Sequence, residues 1–290
     1  MTATTSIDPR TTVGPVRLTV ADLPRSRDFY ENTIGLQSRE LDGGALALGQ
    51  AAGPDLVELA ADASAPPFDP RRTGLFHMAI LLPSRRDLAV TLHRLAERRW
   101  PLTGASDHLV SEALYLRDPD GNGIEIYRDR PRDDWRHRLD GEVEMATLPL
   151  DLDDILGELS GPDDNAERMP DGTTIGHVHL QVSDLAQSEA FYAGGLGFDV
   201  TTRGYPGALF VSAGGYHHHL GLNTWNSRGA SPQERGAIGL RDFSVVLPDQ
   251  AGLDVTLARL EDAGYAAERD GEAAFARDPA GNGVVLATTA

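Results

Sequence analysis

The sequence predicts an α+β chain made of four copies of one unit: a strand, a helix, then three strands. Two internal repeats and one change of periodicity predict it. Val13–Val20, followed by Asp22-Leu23, Phe29-Tyr30 and Ile34-Gly35-Leu36, returns as Ile175–Val182, Asp184-Leu185, Phe191-Tyr192 and Leu196-Gly197-Phe198. The turn Asp118-Pro-Asp-Gly-Asn-Gly returns as Asp278-Pro-Ala-Gly-Asn-Gly. Between these landmarks the apolar residues pass from alternate spacing to helical spacing and back.

Taken in order, Val16–Val20 alternates apolar and polar, the pattern of a half-buried strand. Pro24–Asn32 reads as a helix, and Ala45–Leu48 and Leu56–Leu59 as short strands. Phe76–Leu82 opens the second unit. Ser84 is placed to cap a helix in which Leu88, Leu92 and Leu95 share one face. Strands Ala113–Leu116 and Gly123–Tyr127 flank the Pro-Asp-Gly-Asn-Gly turn, whose residues tolerate positive φ. Units start near 13, 74, 175 and 239, and Leu82-Pro83 is echoed by Leu247-Pro248. The expected organisation is one domain at 13–130 (units 1 and 2), a linker at 131–172, and a second domain at 173–290 (units 3 and 4).

Net charge sets limits on function. The chain has 44 acidic and 26 basic residues, and its formal charge of −18 argues against a general nucleic-acid or anionic-membrane binder. Asp133–Asp171 carries 13 acidic and 3 basic residues, which is −10 of that total. It reads as a solvated acidic connector, with a short amphipathic helix at Leu150–Leu159. There is no cysteine, so thiolate nucleophiles, disulfides and iron–sulfur clusters are excluded, and any metal must be held by His, Asp, Glu or neutral oxygens. Every basic residue is arginine, which excludes lysine Schiff bases and the P-loop lysine. With no run of about 18 apolar residues and no signal-like core in Met1–Arg10, a cytoplasmic protein is expected.

Four βαβββ units with Asp-Pro-x-Gly-Asn turns resemble the vicinal oxygen chelate superfamily, which holds glyoxalase I, fosfomycin-resistance proteins and type I extradiol dioxygenases. The stretch from Asp107 to Asp129 is similar to the extradiol ring-cleavage signature: His108, Leu114-Tyr115, Asp118-Pro-Asp-Gly, then Glu125. Ser106 departs from that signature. Gly215-Tyr-His-His-His-Leu-Gly-Leu-Asn-Thr-Trp225 is typical of the two-domain bacterial catechol 2,3-dioxygenase group. The resemblance implies two glyoxalase-like domains with curved mixed sheets and cleavage of a catecholic ring by O2. It implies Fe(II), with Mn(II) as the alternative. The partners it implies are a small aromatic diol and O2; self-association stays open.

Strand parity then selects candidates within the implied fold. On the first strands the inward residues are Arg17, His77, His179 and Asp242; on the last strands they are Glu58, Glu125, His219 or a neighbour, and Val285. The family's site takes two His and one Glu, leaving positions open for substrate and oxygen. The first half offers Arg17, His77 and Glu125, and the second His179, Asp242 and Val285, so neither half completes it. Pairing unit 2 with unit 3 gives His77, His179 and Glu125, the expected metal set. Units 1 and 4 would then pair without a site. Alternatively, Glu125 is a buried carboxylate paired with an arginine such as Arg17. His108, Tyr115 and His218 are the implied hydrogen-bonding and acid–base residues, His219 competing with His218 on alternation alone. Two other functions remain open: a metal-dependent isomerase or transferase of the glyoxalase type, and a non-enzymatic binding protein of the resistance type.

Overall fold

The structure is a computed structural model that describes residues 6–159, 161 and 167–289. The four expected units are present. Unit 1 comprises β1 (Thr12–Val20), α1 (Leu23–Asp28), β2 (Gln37–Glu40), β3 (Leu46–Gly49) and β4 (Asp55–Ala61). Unit 2 comprises β5 (Gly74–Leu81), α2 (Arg85–Glu97), β6 (Gly104–Asp107), β7 (Ser111–Arg117) and β8 (Gly123–Asp129). The connector adds β9 (Leu148–Pro149) and α3 (Leu152–Leu156). Unit 3 comprises β10 (Thr174–Gln181), α4 (Leu185–Glu189), β11 (Asp199–Thr202), β12 (Ala208–Ser212) and β13 (Leu220–Asn223). Unit 4 comprises β14 (Gly239–Leu247), α5 (Gln250–Asp262), β15 (Ala267–Asp270), β16 (Ala273–Arg277) and β17 (Gly283–Thr288).

Each unit's helix starts where its sequence supplies a cap. Asp22, Ser84, Asp184 and Asp249 are extended and accept hydrogen bonds from the backbone N–H three residues on, satisfying donors that the first turn leaves free.

Two mixed sheets result, and each draws one unit from each half of the sequence. Among the described residues the first runs β15-β16-β17-β14-β1-β4-β3-β2 and the second β11-β12-β13-β10-β5-β8-β7-β6-β9. Units 1 and 4 join where β1 pairs antiparallel with β14, and units 2 and 3 where β10 pairs antiparallel with β5. This is the pairing that ligand counting requires. The repeated turns tie together the two units within each half of the sequence. Tyr30 of unit 1 donates to Asp118 of unit 2 at 3.2 Å, and Tyr192 of unit 3 to Asp278 of unit 4 at 2.9 Å. Both aspartates are buried and also accept bonds from Asn122 or Asn282, so the Asp-Pro-x-Gly-Asn signal is architectural. One apolar core, including Val16, Leu18, Met78, Ile80, Val178, Leu180, Phe243 and Val245, lies between the sheets and their helices.

The connector departs from the expected solvated chain. Trp135 is buried against Tyr216 and His217, β9 pairs with β6, and α3 packs on α2. Arg85 bridges the buried Glu112 to Asp154 and Glu158, so part of the connector's negative charge is neutralised by the core of unit 2. Residues 160 and 162–166 of the connector lie outside the described residues. The helix expected over Leu150–Leu159 is shorter, spanning Leu152–Leu156 with Asp151 as its cap.

Candidate active site

The second sheet curls around a cavity of about 370 Å³. Its apolar wall includes Phe76, Ile124, Phe210, Trp225 and Met145, and its polar groups are concentrated on His77, Glu125, His177, His179, His218, His108 and Tyr115. Every residue expected at the site therefore reaches one cavity. Of the three-histidine run, His218 lines it, whereas His217 and His219 do not. The His219 ring instead accepts a hydrogen bond from the Ala213 backbone N–H at 3.1 Å. Arg17 is absent from the cavity. It lies on the first sheet, bonded to Glu58, Asp242 and Ser244, so it is no partner of Glu125.

Cross-strand register decides which side chains meet. His177 stands opposite Ala79 on β5, and Ala79 stands opposite Glu125 on β8. The three lie in one row on one face, and the alanine leaves room for the two long side chains to meet over it. His177 Nε2 is 3.1 Å from Glu125 Oε2. His77, two residues before Ala79, brings its Nε2 to 3.0 Å from the same oxygen. Gly123 permits this approach of β8 to β5, since a Cβ there would lie 2.0 Å from the Phe76 carbonyl oxygen.

The cluster is thus His77, Glu125 and His177, with ligand atoms all within 4.8 Å of one another. The set expected from sequence had His179 in the third place, and the geometry substitutes His177. Both face the cavity because they are two residues apart on β10, so alternation cannot separate them. Register does: His179 stands opposite His77, with its ring over Gly221, where a Cβ would be 2.8 Å from the ring. Its own Nε2 is buried without a hydrogen-bond partner. The signal that could have found His177 is the small residue at 79, directly between it and Glu125.

Electrostatics suit a cation. Burial pushes the Glu125 carboxyl up, but the His177 and His77 rings that face the same oxygen outweigh it and hold the group well below the usual carboxylate range. Burial lowers His177 to about 4 against the opposing pull of Glu125, and lowers His179 and His218 well below the usual imidazole range. Neutral imidazoles are the form that ligates metals. His77 Nε2 is buried beside the carboxylate yet in no hydrogen bond, an orphaned polar atom that a metal ion would satisfy. The donor set fits a divalent transition metal with open positions.

Around it stand further polar groups. Tyr115 is paired with Glu125 across β7 and β8, and its hydroxyl is 2.7 Å from His108 Nε2. Burial raises the Tyr115 pKa well above the usual phenol value, and the nearby Glu125 charge adds to it, so the hydroxyl keeps its proton. His108 Nδ1 lies 2.6 Å from the Ala146 carbonyl oxygen, which fixes the ring from the connector. Met145, Ala146 and Thr147 line the cavity, so the connector forms part of the site.

Residues 12–126 and 174–286 each match the model of the glyoxalase/bleomycin resistance protein/dioxygenase superfamily. The chain is 45% identical over 278 residues to the catechol-2,3-dioxygenase of Bacillus subtilis (strain 168), covering 95% of this chain and 96% of that protein. Two solved structures share the fold. One is a candidate dioxygenase of Bacillus subtilis, with a TM-score of 0.65 at 14% identity, covering 99% of this chain and 86% of that one. The other is glyoxalase I of Zea mays, with a TM-score of 0.58 at 17% identity, covering 95% and 92%. At those identities the likeness shows the fold alone. With the family model matched in both halves and the relative aligned almost end to end, this chain belongs to the glyoxalase/bleomycin resistance protein/dioxygenase superfamily.

Proposed function

We infer that the chain is an extradiol ring-cleaving dioxygenase that uses O2 to open a catecholic ring, with His77, Glu125 and His177 holding the metal. The observation that carries the reading is the buried two-histidine, one-carboxylate cluster at an apolar cavity. That ligand set with open positions is the one used by non-haem Fe(II) oxygenases. The 45% identical relative named catechol-2,3-dioxygenase supports it. Fe(II) is the proposed metal, with Mn(II) as the alternative, and a cytoplasmic setting suits a chain in which no described helix is long and apolar enough to cross a membrane.

When bound, the ferrous ion supplies acidity to the substrate hydroxyls and an electron path between diol and oxygen. The chain's own residues do the rest. Phe76, Phe210 and Trp225 offer aromatic surfaces to a flat ring and keep water from it. Neutral His218 can take a proton from a substrate hydroxyl. With His108 Nδ1–H given to the Ala146 carbonyl oxygen, the Tyr115 hydroxyl donates to His108 Nε2, and turning that O–H toward the ligands would let it donate instead to negative charge developing there. A glyoxalase-type isomerase fits less well, because the cluster carries a single carboxylate.

The test is anaerobic loading with Fe(II), followed by oxygen uptake with a panel of catechols. Stoichiometric uptake with a ring-opened absorbing product is expected. Turnover of a substrate without oxygen uptake would indicate an isomerase, and absence of stoichiometric iron would indicate a binding protein.

A further inference from the structure

We propose that Asp129 and His217 are positioning residues that fix the tautomer of His218, so that its Nε2 presents a lone pair to the cavity. The inference rests on the reading above only in giving His218 a proton to handle. His217 and His218 are adjacent in sequence, yet both rings turn so that their Nδ1 atoms lie 2.8 Å apart. His217 is fully buried, and its Nε2 is 2.9 Å from Asp129 Oδ1. The other carboxylate oxygen of Asp129 accepts a hydrogen bond from the Tyr216 hydroxyl at 2.9 Å, and that hydroxyl is 2.7 Å from the Tyr127 hydroxyl. Trp135 of the connector packs on both His217 and Tyr216 and closes the outer side of the chain.

Donor and acceptor roles follow from one end. A carboxylate only accepts, so the proton in the Asp129–His217 bond is on His217 Nε2. With that one proton on its ring, His217 has a lone pair at Nδ1, and the 2.8 Å contact then places the proton on His218 Nδ1. Neutral His218 is left with its lone pair at Nε2. That is the form able to receive a substrate proton; the other tautomer could only donate there. Asp129, Tyr127 and Glu125 alternate along β8 and share one face, so one strand carries both the metal-site carboxylate and the carboxylate that orders the base.

The experiment uses full-length, metal-free protein labelled with 15N at histidine. Imidazole 1H–15N correlations report which ring nitrogen carries the proton, and spectra of His217→Gln and His218→Gln assign the signals. Wild-type His218 is expected as the Nδ1–H tautomer. Asp129→Asn, whose amide can either accept or donate, is expected to give a mixture. In iron-loaded enzyme the same variant is expected to lower kcat about 100-fold, the low end of what general acid–base catalysis contributes, with KM and iron content held within about twofold. An Nε2–H tautomer in the wild type overturns the proposal, and that measurement decides alone should Asp129→Asn not fold. So does an unchanged tautomer with unchanged kcat in the variant. If the tautomer behaves as expected but no catechol supports oxygen uptake, the ring-cleavage reading fails while the positioning stands.

Discussion

The two sheets are built from the same unit and diverge at the same few positions. On the second sheet the row across the first strands reads Gly221, His179, His77; on the first it reads Glu58, Arg17, Asp242. There Arg17 is bonded to Glu58 at 3.1 Å and to Asp242 at 2.8 Å. The positions matching His177 and Glu125 under the repeat are Pro15 and Val285. Both sheets thus set carboxylate beside cationic or cation-binding groups at the mouth of the curl. One closes the charge with a covalent side chain, and the other leaves nitrogen lone pairs for an ion. The lesson is that a duplicated fold keeps its turns and caps in every copy, whereas the chemistry needs only one pair of units.

The largest effect should come from the second sheet's own donors. Glu125→Ala and His77→Ala are each expected to abolish iron binding and turnover, whereas Asp242→Asn and Val285→Ala on the first sheet leave both intact. Metal analysis with oxygen uptake checks this, and loss of iron in Asp242→Asn would move the site to the other sheet. Next comes the spacing. Ala79→Leu inserts volume between His177 and Glu125 and should remove iron while costing about 1–3 kcal/mol of stability, read by denaturant titration. Full iron in a folded Ala79→Leu protein would show that the row across β10, β5 and β8 does not set the ligand geometry.

The architecture was legible because its signals are local and occur more than once. The Ser84 cap, the two Asp-Pro turns and the strand alternation each settle a backbone choice; the caps at Asp22, Asp184 and Asp249 are seen only in the structure. The pairing of units 2 and 3 followed from a non-local requirement, the completion of one ligand set. His177 stayed hidden because parity is blind to a shift of two residues, and β10 carries a histidine at both positions. The connector misled because its charge is real but partly satisfied: Asp154 and Glu158 meet Arg85, and Trp135 is buried. The Asp129–His217–His218 chain was illegible, since it joins β8 to a loop 88 residues away through side-chain directions alone.

Smaller effects sharpen the contrast. Tyr115→Phe removes a hydroxyl and little volume, so iron should stay while single-turnover ring opening slows. A lost hydrogen bond to developing charge is worth about 1.5–3 kcal/mol, or about 10–100-fold in rate. Unchanged single-turnover absorbance at equal iron would remove Tyr115 from the mechanism. Arg17→Gln is expected to leave iron and turnover unchanged and to cost about 1 kcal/mol, since its ion pairs are partly exposed. A thermal melt beside the activity assay reads both.

Two neighbouring histidines on β10 compete for the metal. Anaerobic Fe(II) stoichiometry, measured on His177→Ala and His179→Ala at equal protein concentration, decides between them. The structure predicts one iron per chain in the wild type and in His179→Ala, and none in His177→Ala. Retention of iron by His177→Ala with loss in His179→Ala would contradict it.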